Sequence, residues 1–337
     1  MKNNNIATSL EAEIKNVSFK RPHVVILGAG ASVAALPNGD KNGKLLPVMD
    51  DFLEKIDLND IVSNLDLNSS DGNFEEIYSD LHSSGNIDIT NEIERRVFDY
   101  FSNLKLPIKP TIYDHLVLSL RPKDVIATFN WDPFLWQACE RNLYLTKPPE
   151  IIFLHGNVAV GVCFESKTIG LLGRTCKASG KKFEKTSLLF PIKQKNYAEN
   201  EYIKTSWETL KKYLKNAYIV TIFGYGAPKS DVEAIELMKQ AWGSSEDRNL
   251  EEIEIIDLKD DDELAETWED FIHSHHYRVC SNFYDSWIAN HPRRSCEAMW
   301  DMLMQCNFCD DNPIPQYNNF ENLWEWYKEF LYYEERG

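Results

Sequence analysis

His23-Val24-Val25-Ile26-Leu27-Gly28-Ala29-Gly30-Ala31-Ser32 is a short apolar run that goes straight into a glycine turn. Val24 to Leu27 are rich in β-branched types, follow Pro22 and close on glycine. They fit a buried parallel strand, whereas an amphipathic helix needs a longer periodic stretch. Two glycines let the backbone turn sharply and approach a diphosphate, and the free N–H groups opening the next helix attract that anion. Gly28, Ala29, Gly30 and Ser32 are therefore expected nucleotide contacts. The dinucleotide fingerprint is incomplete, because Val33 stands where GxGxxG has its third glycine. Asp50 and Asp51 lie at the distance of a ribose-binding acid, but Pro47 interrupts the strand that should deliver one. A tight strand-to-helix turn without a ligand is the competing reading.

Further strands are expected at Asp124–Phe129, Ile151–Leu154, Ala217–Phe223 and Ile253–Ile256. Between the first two strands, from Met49 to about Leu120, apolar residues recur every three or four positions: Phe52, Leu53, Ile56; Ile77, Leu81; Ile93, Val97, Phe101; Ile112, Leu116, Leu120. This spacing predicts a helical insertion, broken at Asn68–Asn73 and Ser83–Asn86. Pro37 to Gly43 is turn chemistry throughout and reads as a mobile loop beside the site. Strands alternating with helices predict an α/β fold with a doubly wound, Rossmann-like parallel sheet, whose ligands bind beyond the carboxyl ends of the strands. The unusual residues fall at those ends: Gly28 to Ser32, Asn130 to Asp132, His155-Gly156, Gly224 to Gly226 and Asp257.

The chain has 337 residues, is 43% hydrophobic and carries a formal net charge of −17, with acids concentrated between Glu246 and Asp270. Such a surface repels a phosphate backbone, so direct nucleic-acid binding is not expected. The locally basic segment Arg174 to Lys185, with Lys177, Lys181 and Lys182, reads as a solvated loop. No apolar run approaches the roughly 18 residues that span a bilayer, so no membrane is expected. The polar leader Met1-Lys2-Asn3-Asn4-Asn5 lacks a signal-peptide core, which points to a cytoplasmic protein. Seven irregularly spaced cysteines agree with reduced thiols.

The motifs together resemble the sirtuin-like family of NAD-consuming proteins, in its bacterial branch. They are GAGAS after the first strand, Thr128-Phe129-Asn130-Trp131-Asp132 after the next, then Leu154-His155-Gly156, then Phe223-Gly224-Tyr225-Gly226. The likeness covers Pro22 to Leu258. It implies a sirtuin-like fold in which the first loop cradles NAD, Asn130 orients the nicotinamide ribose and water, and His155 is the general base. Thr128, Gly224, Tyr225 and Asp257 join the expected NAD contacts, and Asp132 the catalytic set. For Asp132 a second explanation stands ahead of catalysis, since Asp132-Pro133 suits the start of a helix from Phe134 to Arg141. Ser230-Asp231-Val232-Glu233 likewise reads as a capping box. Phe129 departs from the glutamine that protein deacylases carry.

Those deacylases also carry a CxxC…CxxC zinc module after the catalytic histidine, where this chain has only Cys163 and Cys176. Cys306-Asn307-Phe308-Cys309 is a single CxxC with Cys280, Cys296, His273, His275 and His276 upstream, a poor spacing for zinc. No metal is expected.

The organisation expected is a polar arm over 1–21 with a helical turn near Leu10 to Ile14, an NAD-binding catalytic domain over 22–260, and an aromatic helical segment over 261–337. Trp287, Arg293, Arg294, Trp324, Trp326 and Tyr327 mark that segment as a surface for a homo-oligomer or a separately encoded sensor, with core packing as the alternative. The function implied is an NAD glycohydrolase that depletes NAD in anti-phage defence. An NAD-dependent deacylase or ADP-ribosyl transferase, and a non-catalytic nucleotide-sensing module, are the alternatives.

Overall fold

A computed structural model describes residues 7–48, 51–62, 73–192, 201–228, 231–244, 246–248, 250–269, 271–272 and 276–337. The leader Met1 to Asn5, Asp50, most of the break before Asn73, Ser230, His273 and His275 lie outside the described residues.

The run His23–Leu27 forms strand β1. Parallel to it lie β2 (Val125–Thr128), β3 (Glu150–Phe153), β4 (Ile219–Phe223), β5 (Glu252–Ile256) and β6 (Tyr277–Cys280), in the spatial order β3-β2-β1-β4-β5-β6. The chain thus winds outward in both directions from β1, which is the doubly wound α/β architecture expected. Its order reverses between β1 and β4, so a crevice opens beyond their carboxyl ends.

Strand pleating explains why these runs are continuously apolar. Val25 and Leu27 join one buried cluster with the helical insertion and the C-terminal helices, while Val24 and Ile26 join another with the helices Glu201–Asn216 and Val232–Trp242. A strand covered on both faces needs apolar residues at every position, each fully buried aliphatic contributing about 1.5–3 kcal/mol. Helix Glu201–Asn216 presents Ile203, Trp207, Leu210 and Leu214 to the sheet at three- and four-residue spacing. The insertion is helical as its periodicity predicts, with Phe74–Ser83, Ile87–Ser102 and Ile112–Leu118 as its longer elements. Asn73 caps the first of these, its side chain accepting from the Glu76 N–H.

Three features depart from expectation. Strand β6 lies inside the segment read as purely helical. It is an edge strand with one neighbour and a half-exposed pattern, so it lacks the continuous apolar run that marks a buried strand. Val160–Cys163, Thr168–Leu171 and Glu184–Lys185 form a small antiparallel sheet that the sequence reading lacks, only its last strand falling in the segment Arg174 to Lys185, whose Arg174, Lys177, Lys181 and Lys182 are solvated as read. The turn from Pro37 to Gly43 is pinned, because the buried Asp40 carboxylate accepts the N–H groups of Asn42, Lys44 and Lys105.

The two chain ends pack together. Ala7–Thr8 pairs in parallel with Phe308–Cys309, and helix Leu10–Lys15, capped by Ser9, lies along helix Phe320–Glu334. The tail also covers polar interruptions in the sheet. The His23 imidazole bonds Ser295 Oγ at 2.8 Å and Thr221 Oγ1 at 2.7 Å, while the buried Glu254 accepts from Thr221 and from the Trp287 N–H. Burial pushes the His23 imidazole down to about 3, which keeps it neutral, and raises the Glu254 carboxyl.

Of the residues nominated as a docking surface, Trp287, Arg293, Arg294 and Tyr327 are buried within the chain, and Trp324 and Trp326 are half-buried. Arg293 and Arg294 both clamp the Glu334 carboxylate, at 2.5 and 2.7 Å. Two guanidiniums need a counter-charge to be buried, and the tail's last helix supplies it. Among the described residues no helix is long and apolar enough to cross a membrane.

Candidate functional site

At the carboxyl ends of β1, β2 and β4 lies a cavity of about 430 Å³, within the range of roughly 300–1,000 Å³ typical of small-molecule sites. Its wall includes Gly28, Ala29, Gly30, Ser32, Phe129, Asn130, Asp132, His155, Gly224 and Tyr225. The insertion closes the opposite side through Phe52, Glu75 and Phe101, together with Leu46, Pro47 and Val48.

The glycine turn is tighter than a loop. Gly28 alone separates β1 from helix Ala29–Ala35. A Cβ on Gly28 would stand 2.5 Å from Gly224 O and Tyr225 Cα, and one on Gly30 would stand 2.8 Å from Gly224 Cα. Gly224 itself has φ +60° and would meet Ala31 N at 2.3 Å. The three glycines therefore let the ends of β1 and β4 touch, a packing requirement at the switch point that holds whether or not a diphosphate binds.

A polar knot forms the back of the cavity. Asn130 Nδ2 donates to Gly28 O at 2.8 Å and Ser32 Oγ at 3.1 Å, with Tyr113 OH at 3.3 Å. Ser32 Oγ donates to Asp132 Oδ2 at 2.6 Å and also bonds Tyr113 OH. The other Asp132 oxygen accepts the Phe134 N–H at 3.1 Å, but the N-cap of helix Phe134–Asn142 is Pro133 and not Asp132 as expected, so this carboxylate holds the helix start from one residue outside it and faces the cavity at once. Thr128 Oγ1 accepts the Asn130 N–H, and Asn157 Nδ2 donates to Asp132 O at 2.6 Å, which ties the loop after β2 to the loop after β3. Thr128 supports the site from behind and is absent from the cavity wall.

On the facing side, His155 Nε2 lies 3.8 Å from Asp231 Oδ1, and Tyr225 OH donates to Asp231 Oδ2 at 2.9 Å. Phe129 stacks on Tyr225 with ring centroids 4.1 Å apart and meets the His155 ring edge-on at 4.8 Å. Asp231 occupies the N-cap position of helix Val232–Trp242 but makes no capping bond, and is 3% exposed. The capping box read over Ser230 to Glu233 has its serine outside the described residues, while Asp231 turns its carboxylate to Tyr225 and His155.

Of the remaining expected contacts, Asp257 ends β5, where its carboxylate accepts the Lys259 N–H, and it does not line the cavity, although Lys259 does. Asp51 accepts the Val48 N–H and pairs with Lys55. Sequence reasoning missed Tyr113, Asn157 and Asp231. Tyr113 sits in a helical repeat as an ordinary aromatic, whereas Asn157, two residues beyond His155, could have been found as one more polar residue at a strand end. Cys280, Cys296, Cys306 and Cys309 do not come together, and no group of three or more His, Cys, Asp or Glu side chains suited to a metal ion occurs among the described residues.

Burial pushes the Asp132 carboxyl up to about 6, against the Ser32 and Phe134 hydrogen bonds that favour its charged form. The folded protein thus keeps this proton between about pH 4 and pH 6, where the unfolded chain has lost it. Stability falls as pH rises through that window and the loss is complete above it. Asp132→Asn is expected to remove this slope, worth about 2–3 kcal/mol. Urea denaturation of both proteins at pH 4.5 and pH 7 reads it, and parallel pH dependences would refute the assignment.

No protein-family model matches this chain, and no curated protein matches it in sequence. Solved structures do share its shape in part. A Sir2 homologue mutant in complex with ADP-ribose is 12% identical, with a TM-score of 0.40, over 88% of this chain and 94% of that one. A Sir2 homologue–NAD complex is 13% identical, with a TM-score of 0.34, over 88% of this chain and 92% of that one. Similarity at this level carries no residue role or activity over to this chain.

Proposed function

We propose that this protein is an NAD glycohydrolase, cleaving NAD to nicotinamide and ADP-ribose. The observation that carries the reading is one cavity, at the switch point of a doubly wound sheet, with the His155–Asp231 pair on one side and the pinned Asn130 amide on the other. Breaking the bond from ribose C1′ to nicotinamide develops oxocarbenium character, as in glycoside hydrolysis, and requires an oriented nucleophile and a base. With both Asn130 amide hydrogens directed at Gly28 O and Ser32 Oγ, its Oδ1 is left to accept from a ribose hydroxyl or water. His155 takes the proton in this scheme, and Asp231 positions its ring. Gly28, Ala29, Gly30, Ser32, Gly224 and Tyr225 form the wall against the bound dinucleotide.

In this reading the chain works in the cytoplasm as an effector that depletes NAD in anti-phage defence. Control by a partner protein or by homo-oligomerisation belongs to the proposal, but through a surface other than the buried Trp287, Arg293, Arg294 and Tyr327.

The test is to incubate the purified chain with NAD and follow nicotinamide and ADP-ribose, with and without the products of neighbouring genes. Asn130→Ala is expected to abolish release while the protein stays folded. Release that requires an acylated peptide would favour a deacylase, ADP-ribose appearing on protein a transferase, and binding without turnover a sensing module. Asp231→Asn is expected to lower kcat about tenfold with little change in KM, as befits a group that orients a base without touching substrate. An increase in KM alone would instead place Asp231 in binding.

A further inference from the structure

The small antiparallel sheet brings two short repeats face to face: Cys163-Phe164-Glu165-Ser166 and Cys176-Lys177-Ala178-Ser179. Each opens a tight turn. Cys163 pairs with Thr168 across the first hairpin, and the Cys176 carbonyl accepts the Gly180 N–H at 2.9 Å in the second. The thiols cross over to the opposite repeat, Cys163 Sγ lying 3.0 Å from Ser179 Oγ and Cys176 Sγ 3.2 Å from Ser166 Oγ and 3.4 Å from Thr168 Oγ1. Each thiol is thus held against the serine of the other repeat. Both are buried, while Phe164, Glu165, Lys177 and Ala178 beside them in the two turns are exposed.

From this arrangement we propose that Cys163 and Cys176 form a redox modification site, a dithiol that peroxide converts reversibly to an intramolecular disulfide. It is independent of the NAD reading. Hydroxyl groups within hydrogen-bonding reach of both sulfurs can donate to a thiolate and stabilise it, and the thiolate is the nucleophile in such chemistry. Ser166 and Thr168 hold the Cys176 thiol well below its usual range, at about 5. The Cys176 thiolate attacks one peroxide oxygen, the O–O bond breaks, and the departing hydroxide leaves as water after taking a proton. The resulting sulfenic acid is attacked by Cys163, the S–O bond breaks, and a second water leaves as the S–S bond forms. Two thiols have then lost two electrons and two protons to one peroxide.

The site adjoins the cavity along the chain. Strand Glu184–Lys185 continues into Leu189, which lines the cavity and whose N–H donates to His155 O at 2.9 Å. A bond across the two turns would therefore fix the element that carries one wall of the candidate site.

The experiment treats the reduced full-length chain with hydrogen peroxide, blocks remaining thiols with N-ethylmaleimide and maps peptides by mass. The expected result is that two of the seven cysteines escape blocking, that Cys163 and Cys176 peptides are found linked, and that dithiothreitol restores both. Ser166→Ala should slow the reaction several-fold, and Cys163→Ser should leave a sulfenic acid on Cys176 that dimedone traps. Seven blocked thiols, a different linked pair, or irreversible over-oxidation of Cys176 with Cys163 unlinked would each overturn the proposal. So would a metal ion found between the two sulfurs in the purified protein.

Discussion

His155→Ala is expected to lower the rate of nicotinamide release about 100- to 10,000-fold, the range a positioned general base contributes. The ring stands at the end of β3, against the edge of Phe129 and beside Asp231, with its backbone carbonyl held by the Leu189 N–H. Removing it deletes the proton acceptor while the backbone anchor stays. The circular dichroism spectrum and a cooperative unfolding transition should therefore persist, with a modest loss of stability from the space left beside Phe129. His155→Gln, which refills much of that space, should be equally inactive. Turnover near the unsubstituted rate in either folded variant would remove His155 from the chemistry and leave it a packing residue.

Glu334→Ala should destabilise the fold by about 3–5 kcal/mol, the usual cost of stripping the partner from a buried charge. Here two guanidiniums lose it together, on Arg293 and Arg294, which are 2% and 0% exposed. The Arg294 side chain also bonds Ile14 O and Phe330 O, so the same helix end fastens the N-terminal segment. Chemical denaturation measures the change, with Glu325→Ala on the exposed face of that helix as a control expected to be silent. A Glu334→Ala protein as stable as the parent would mean that the tail is not integral to the core and would reopen it as a detachable surface.

Strand runs were the most legible part of the chain, because burial on both sheet faces demands an apolar side chain at every position and writes itself into consecutive letters. β1 to β5 were readable for that reason, as was the helical insertion, whose period of three to four is equally local. β6 was not, since an edge strand with one covered face carries too little apolar signal in four residues. The small sheet was hidden likewise by exposed residues and turns. Within the site, Gly28, Gly30, Asn130, Asp132, His155 and Gly224 were found because polar residues and glycines stand out at the ends of apolar runs. Tyr113 could not be, as nothing in its own helix distinguishes an aromatic that packs from one that reaches Ser32 and Asn130.

What the amino-acid order alone determined is therefore the local period of each element, its class, and the strand ends where a ligand crevice must lie, since these follow from side chains a few positions apart. The tertiary structure decided which distant groups neutralise one another. It brought Asp231 to His155 instead of to its own helix, set Asp132 against Ser32 and the Phe134 N–H while facing the cavity, and sealed Arg293 and Arg294 against Glu334 in the interior. A charged side chain looks the same in sequence whether solvent or a counter-charge will receive it, and that choice is fixed only when the chain closes and desolvation makes an unpaired charge too costly to bury.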